Sequence, residues 1–189
     1  MINRIIKSKL IALVCLLGLV ATAHANESVM QELQNGGYVA LMRHALAPGT
    51  GDPAELTLGD CSTQRNLNDS GRTQARATGD FFRQAGVEFQ AVYSSEWCRC
   101  METAALMAHG DVQPLPAINS FFRHMQRREA QTGQLLRWLA QQSNAKPLLL
   151  VTHQVNITAL TGVYPQSGEV VVGRIVDGAF EVSGTIAPR

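Results

Sequence analysis

Lysine is nearly missing from this sequence. Of its 16 basic residues only Lys7, Lys9 and Lys146 are lysines, and two of those fall within the first ten positions. Aromatic residues make up only 6% of the chain, and no basic run or aromatic-interleaved basic stripe is present. Nucleic-acid binding needs such a footprint, so it finds no support. Long apolar runs are lacking too. Leu10–Val20 spans 11 residues, against about 20 for a membrane crossing. Four cysteines are too few for a disulfide-held miniprotein. No Gly-rich Walker loop appears, which excludes nucleoside-triphosphate hydrolases of that type. No Gly-x-Ser-x-Gly appears, which argues against a Ser-His-Asp hydrolase. No histidine and carboxylate set has metal-ligand spacing. The chemistry therefore requires no metal, and no cofactor is implied.

What is present begins with an export pattern. Arg4, Lys7 and Lys9 precede the apolar run, and Ala23-His24-Ala25 offers small residues where a signal peptidase reads. This is the order of a secretory signal. Residues 1–25 are expected to be cleaved, leaving 26–189 as a single exported domain, periplasmic in location, with no stable membrane span. Removal of three basic residues turns the formal charge from +1 to −2. A hydrophobic share of 46% argues against disorder, and the remaining length suits one sizeable core.

The mature chain alternates strand and helix signals. Short apolar runs at Tyr38–Met42, Phe89–Tyr93 and Pro147–Val151 predict buried strands. Val112–Pro114 predicts a short one. Helices are expected over 27–35, 71–85, 96–109, 129–142 and 154–161, with Asn68-Asp69-Ser70 and Ser94-Ser95 as capping residues. Glu169–Val176 and Ala179–Ser183, joined at Asp177-Gly178, predict a hairpin. Residues 45–68 form a long Gly-, Pro- and Asp-bearing loop, a length that in compact domains tends to be functional. Such alternation predicts an α/β sheet covered on both faces, whose ligands bind beyond the carboxyl ends of the strands.

Three polar groups fall at those ends: Arg43-His44, Ser94 to Arg99, and Thr152-His153. Taken singly, each has an ordinary structural explanation. Together they place two imidazoles and two guanidiniums in one crevice, which is what phosphoryl transfer needs. Arginine forks match phosphate oxygens. A neutral imidazole can attack phosphorus. A second imidazole can serve the equatorial oxygens, where charge spreads in the transition state.

The run Val39-Ala40-Leu41-Met42-Arg43-His44 resembles the nucleophile motif of the histidine phosphatase superfamily. Gln64 to Arg72 is similar to that family's loop and helix start. Ser94-Ser95-Glu96-Trp97-Cys98-Arg99 resembles its second-arginine motif, and Val151-Thr152-His153 its second-histidine motif. The resemblance implies a three-layer α/β/α sandwich with a mostly parallel central sheet, the phosphoglycerate-mutase-like fold. It implies His44 as the nucleophile forming a phosphohistidine, with Arg43, Arg99 and His153 holding the phosphoryl oxygens. Arg65 and Asn156 are candidate substrate contacts, each with a competing structural role. Thr152 and Ser94 are better read as orienting or capping residues.

Two departures carry information. Ala45 stands where the family often has glycine. The family's proton-donor positions carry Ser120 and Gln154, and an amide cannot donate the required proton. Glu129 and Glu169 are candidate general acids. The alternative is that no side-chain acid exists, which restricts turnover to leaving groups of low pKa. For the cysteines, a Cys61–Cys98 disulfide pinning the long loop is expected. Cys61–Cys100 and unpaired thiols remain open alternatives. Phe121, Phe122, Arg123, His124, Arg127 and Arg128 form either a substrate lid suited to an anionic sugar or lipid headgroup, or an ordinary surface loop. The expected activity is hydrolysis of a phosphomonoester or related compound on a phosphorylated small molecule or an envelope glycan or lipid. The rival is a degenerate relative that binds such components without turnover. The sequence specifies no oligomeric state.

Overall fold

Continuous apolar runs in the central strands, with successive side chains on opposite sides, supply both faces of the sheet. The computed structural model describes residues 28–142 and 145–189; the expected signal at 1–25 lies outside the described residues. Its strands are β1 (Val39–Arg43), β2 (Ala91–Ser94), β3 (Val112–Pro114), β4 (Leu148–Thr152), β5 (Val170–Val176) and β6 (Ala179–Ile186). Residues 28–34 form helix α1. The other helices are α2 (Asp69–Gln84), α3 (Cys98–Met107), α4 (Arg128–Ala140) and α5 (Gln154–Thr161).

The sheet order is β3-β2-β4-β1-β5-β6. The first four strands in that order pair in parallel, and β5 runs antiparallel to both its neighbours. Ala40, Met42, Leu149, Val151 and Val172 face one side, against Leu33 of α1, Phe82 of α2 and Met107 of α3. Val39, Leu41, Leu148, Leu150 and Val171 face the other, against Leu135 and Leu139 of α4 and Ile157 of α5. The architecture is thus the expected three-layer α/β/α sandwich with a mostly parallel sheet.

Element boundaries moved by a few residues for identifiable reasons. Pro147 has no N–H for a ladder, and β4 starts one residue later. The second hairpin strand runs past Ser183 to Ile186, which is buried and pairs with Val170. Asp177 and Gly178 both take positive φ (50° and 81°), as a two-residue hairpin turn requires. Asn68 caps α2 by accepting from the Gly71 N–H at 2.9 Å. Ser94 and Ser95 do not cap α3. That helix begins after Trp97, with no side-chain cap, because both hydroxyls are engaged elsewhere: Ser94 Oγ on the Ser95 carbonyl and Ser95 Oγ chiefly in the crevice described below.

Gly79 sets how closely α2 and α3 approach. A Cβ there would lie 2.2 Å from the Met107 carbonyl oxygen. Two effects therefore oppose each other in Gly79→Ala. Helix propensity gains about 1 kcal/mol, while backbone overlap costs about 1–3 kcal/mol or more. A backbone carbonyl cannot swing aside as a side chain can, so the clash is expected to win. Gly79→Ala should lower the urea midpoint of unfolding; a higher midpoint would show that the helices separate freely.

Candidate active site

Strand order brings the three polar groups together. β2, β4 and β1 are neighbours, with Arg43 paired to Thr152 and Ser94 to Val151, so their carboxyl ends are level. The chain continues the ladder just past the strands: the His44 N–H donates to Thr152 O at 2.9 Å and the Ser95 N–H to Val151 O at 3.0 Å. His44, Arg99 and His153 are all buried. With Arg43 and Arg65 they line one crevice, alongside loop residues 49–52.

Hydrogen bonds assign the state of both imidazoles. His44 Nδ1 lies 2.8 Å from the Ala45 carbonyl, an acceptor only, so Nδ1 holds the hydrogen. Nε2 keeps its lone pair and accepts from Arg99 Nε at 3.2 Å. His153 Nδ1 faces Arg99 Nη2 at 3.3 Å, and its Nε2 lies 2.8 Å from Ser95 Oγ. Because arginine only donates, His153 carries its hydrogen on Nε2 and gives it to Ser95. Ser95 in turn donates to Asn119 Oδ1 at 3.2 Å. The two rings stand edge to face with centroids 5.6 Å apart.

Burial is the main cause that holds both rings neutral. It pushes His44 down to about 3, helped next by the Arg99 guanidinium. It also pushes His153 well below its ordinary value, again followed by Arg99. Arg43 and Arg65 are lowered in the same way, by partial burial first. Cys100, beside His153 with its sulfur 3.5 Å from Nε2, is pushed up to about 12 by burial and remains a thiol. Arg43 donates through Nη1 to Pro165 O, while its buried Nε has no partner among the described residues.

Not every candidate joins the crevice. Arg65 lines it but uses Nε on Gly51 O (2.7 Å) and Nη1 on Ala47 O, so it fastens the loop. Asn156 is buried beneath it, donating to Asn119 O at 2.9 Å. Thr152 Oγ1 holds Ile118 O at 2.6 Å, the orienting role expected of it. Glu129 is exposed in the first turn of α4, and Glu169 accepts from the Gln166 N–H; neither lines the crevice. Ser120 and Gln154 do line it. Ala45 is accommodated because its φ is not positive, and its N–H donates to Thr103 Oγ1 at 3.1 Å. Cys61 and Cys98 are joined, with Cα atoms 5.6 Å apart, and Cys100 is free. Phe121 belongs to the interior, whereas Phe122 is 51% exposed and lines the crevice.

Sequence reasoning missed Asp52. Its carboxylate forms a two-pronged ion pair with Arg99: Nη1 to Oδ1 at 2.5 Å and Nη2 to Oδ2 at 3.1 Å. The pair is buried, with side-chain exposures of 5% and 3%. Trp97 Nε1 also donates to Oδ2, at 3.2 Å. Ser95 and Asn119 were missed as well. Beside the crevice lies an open cleft of about 730 Å³ that shares Asp52 and Ser120 as a wall and carries Arg123, His124 and Arg127.

Residues 39–121 match the model of the histidine phosphatase superfamily, branch 1. The match takes in Arg43, His44, Arg65 and Arg99 and ends before His153. No curated protein sequence matches the chain. Among solved structures, the chain is similar to the protein histidine phosphatase SixA complexed with tungstate. That likeness has 14% identity and a TM-score of 0.57, covering 79% of this chain and 96% of the other. It is also similar to phosphoserine phosphatase from Entamoeba histolytica in complex with 3-phosphoglyceric acid, with 14% identity, TM-score 0.58, and coverage of 79% and 96%. A third likeness is TTHB049 from Thermus thermophilus, with 18% identity, TM-score 0.56, and coverage of 79% and 99%. At such identities the likeness concerns the fold.

The depressed His44 has a consequence for stability. Its ordinary value is 6.5 and its folded value about 3, so between these the unfolded chain binds the extra proton. Stability therefore falls as pH drops through that window. From pH 7 to pH 5 this one ring costs about 2 kcal/mol. His44→Asn should lose correspondingly less stability over the same interval, measured by urea unfolding at the two values. An unaltered pH dependence in the variant would show that His44 is not held neutral.

Proposed function

We propose that this protein is a phosphatase working through a phosphohistidine on His44. One observation carries the proposal: a buried imidazole fixed in its neutral form, with the Nε2 lone pair turned to the guanidinium of Arg99. A nucleophile needs that lone pair, and a phosphoryl group needs that fork. In the proposed first step His44 Nε2 forms a bond to phosphorus as the bond to the leaving oxygen breaks. Arg43 and Arg99 hold the equatorial oxygens, where charge spreads. An arriving phosphoryl dianion favours the imidazolium form of His153, whose Nδ1–H then becomes a further donor. Water attacks the phosphohistidine in the second step and releases phosphate.

Two guanidiniums and a protonated imidazole supply the charge stabilisation that a metal ion would otherwise give, so the reaction is proposed to be metal-independent. The neighbouring cleft supports an anionic leaving group, because Arg123, His124 and Arg127 lie along it with apolar Leu56 and Pro116. A phosphorylated envelope glycan or lipid headgroup fits that lining. The N-terminal pattern supports export to the periplasm, and the Cys61–Cys98 bond suits an oxidising compartment. Among the described residues no helix is long and apolar enough to cross a membrane.

The experiment is hydrolysis of p-nitrophenyl phosphate by the purified protein, with and without chelator. His44→Ala is expected to lose about 1,000-fold or more in kcat, since without a nucleophile no covalent route remains. Labelled phosphate should be trapped on His44 of the wild type in an acid-labile form. Full activity of the variant overturns the mechanism. A wild type inactive on every phosphoester favours a protein that binds phosphorylated components without turnover.

A further inference from the structure

We propose that Asp52 is the general acid of this site, held on Arg99 at rest and released from it by the substrate's phosphoryl group. The inference rests on the phosphatase reading and deepens it. Ser120 and Gln154 cannot protonate a leaving group, and Glu129 and Glu169 lie outside the crevice. Among the described residues lining the crevice or the adjoining cleft, Asp52 is the one carboxylate. It forms part of the wall between them, together with Ser120. That wall is where the oxygen bridging a bound phosphoryl to a group in the cleft must lie.

The surroundings of Asp52 fix the loop and leave only the two side-chain torsions free. Arg65 holds Gly51 O on one side, and Arg123 Nη1 holds Pro53 O at 2.9 Å on the other. The backbone is thus fastened at both flanking residues, while χ1 can turn. At rest the carboxylate takes the Arg99 fork that a phosphoryl group would need. A phosphoryl dianion competes for that fork with more charge and more acceptor oxygens. Once displaced, the carboxyl keeps the Trp97 Nε1–H on Oδ2. Oδ1 is freed, and beside the bound dianion a carboxyl favours its protonated form.

The step then balances. Asp52 takes up one proton from solvent as substrate binds. Nε2 of His44 gains the bond to phosphorus, and the electron pair of the breaking bond stays on the leaving oxygen. That oxygen receives the proton from Oδ1. In the second half-reaction the Asp52 carboxylate accepts a proton from the attacking water, and phosphate leaves. Asp52 then gives that proton to solvent, which restores the one taken up at the start, and returns to Arg99 as a carboxylate.

The test compares leaving groups in Asp52→Asn, which keeps the size and one acceptor. Steady-state kinetics are measured on p-nitrophenyl phosphate and on glycerol 3-phosphate, beside the wild type. An alkoxide needs the proton and a nitrophenolate does not. The variant should lose about 100-fold or more in kcat on the alkyl ester, in the usual range for acid catalysis, and less than tenfold on the aryl ester. Inhibition by inorganic phosphate should tighten, because the competing carboxylate is gone. Equal losses on both esters overturn the proposal. So do equal gains, which would make Asp52 only a plug, and so does a wild type that turns over aryl but not alkyl phosphates. The underlying phosphatase reading fails separately, by absence of any wild-type turnover and of phosphate on His44. Residual aryl hydrolysis by the variant shows that it has folded.

Discussion

The buried guanidinium of Arg99 is the constraint on which the site depends. Its Nε meets His44 Nε2, its Nη2 meets His153 Nδ1, and its two outer nitrogens meet Asp52. Each partner is conditioned by that charge. Burial first, and then the neighbouring cation, keeps both imidazoles neutral. The cation itself cannot stand unpaired. Breaking such a pair by removing one partner typically costs about 3–5 kcal/mol. In the proposed reaction a substrate phosphoryl replaces the Asp52 carboxylate on Arg99. This exchange of one anion for another keeps the charge compensated, and it selects for groups that can outbid a carboxylate.

Arg99 is held where it is by two parts of the chain, β2 and the long loop. β2 delivers the turn before α3. The Cys61–Cys98 bond ties the residue immediately before it to the long loop. Gln64 Oε1 accepts from the Cys98 N–H at 3.0 Å. The loop that positions Arg99 thus also carries Asp52, which neutralises it. In the chain-entropy view a link closing 37 residues stabilises by about 4 kcal/mol. That is enough to hold a loop with little secondary structure of its own against the sheet. Close backbone approach helps, since a Cβ on Gly71 would lie 2.0 Å from Leu46 O.

Much of this was legible in the sequence for a simple reason. Strands that are continuous apolar runs leave their polar residues at the ends, and parallel strands put those ends on one edge. Arg43, His44, Arg99 and His153 announce themselves there by position. Asp52 does not. It stands in Gly49-Thr50-Gly51-Asp52-Pro53, where an aspartate reads as turn chemistry. Its partner is 47 residues away, and no local pattern encodes that pairing. Ser95 was read as a helix cap because a serine before a helix usually is one. Only the arrival of His153 from β4 shows where its hydroxyl is engaged. Arg65 looked like a phosphate ligand because its motif fits; the loop carbonyls that it satisfies are a tertiary fact.

These differences divide the site into two physical parts. The proposed phosphoryl seat is built on strand ends and a helix start, and the loop reaches it only through Cys61, Gln64, Arg65 and Asp52. The wall and the cleft beyond it come from residues 45–68 and from the segment between β3 and α4, joined to each other through Arg123. Loops exchange residues at little cost to the core. An acid brought in from the first of these segments, as proposed for Asp52, changes the side from which the leaving oxygen is met. Ser120, which shares that wall with Asp52, is small and carries no charge to compete for the guanidinium.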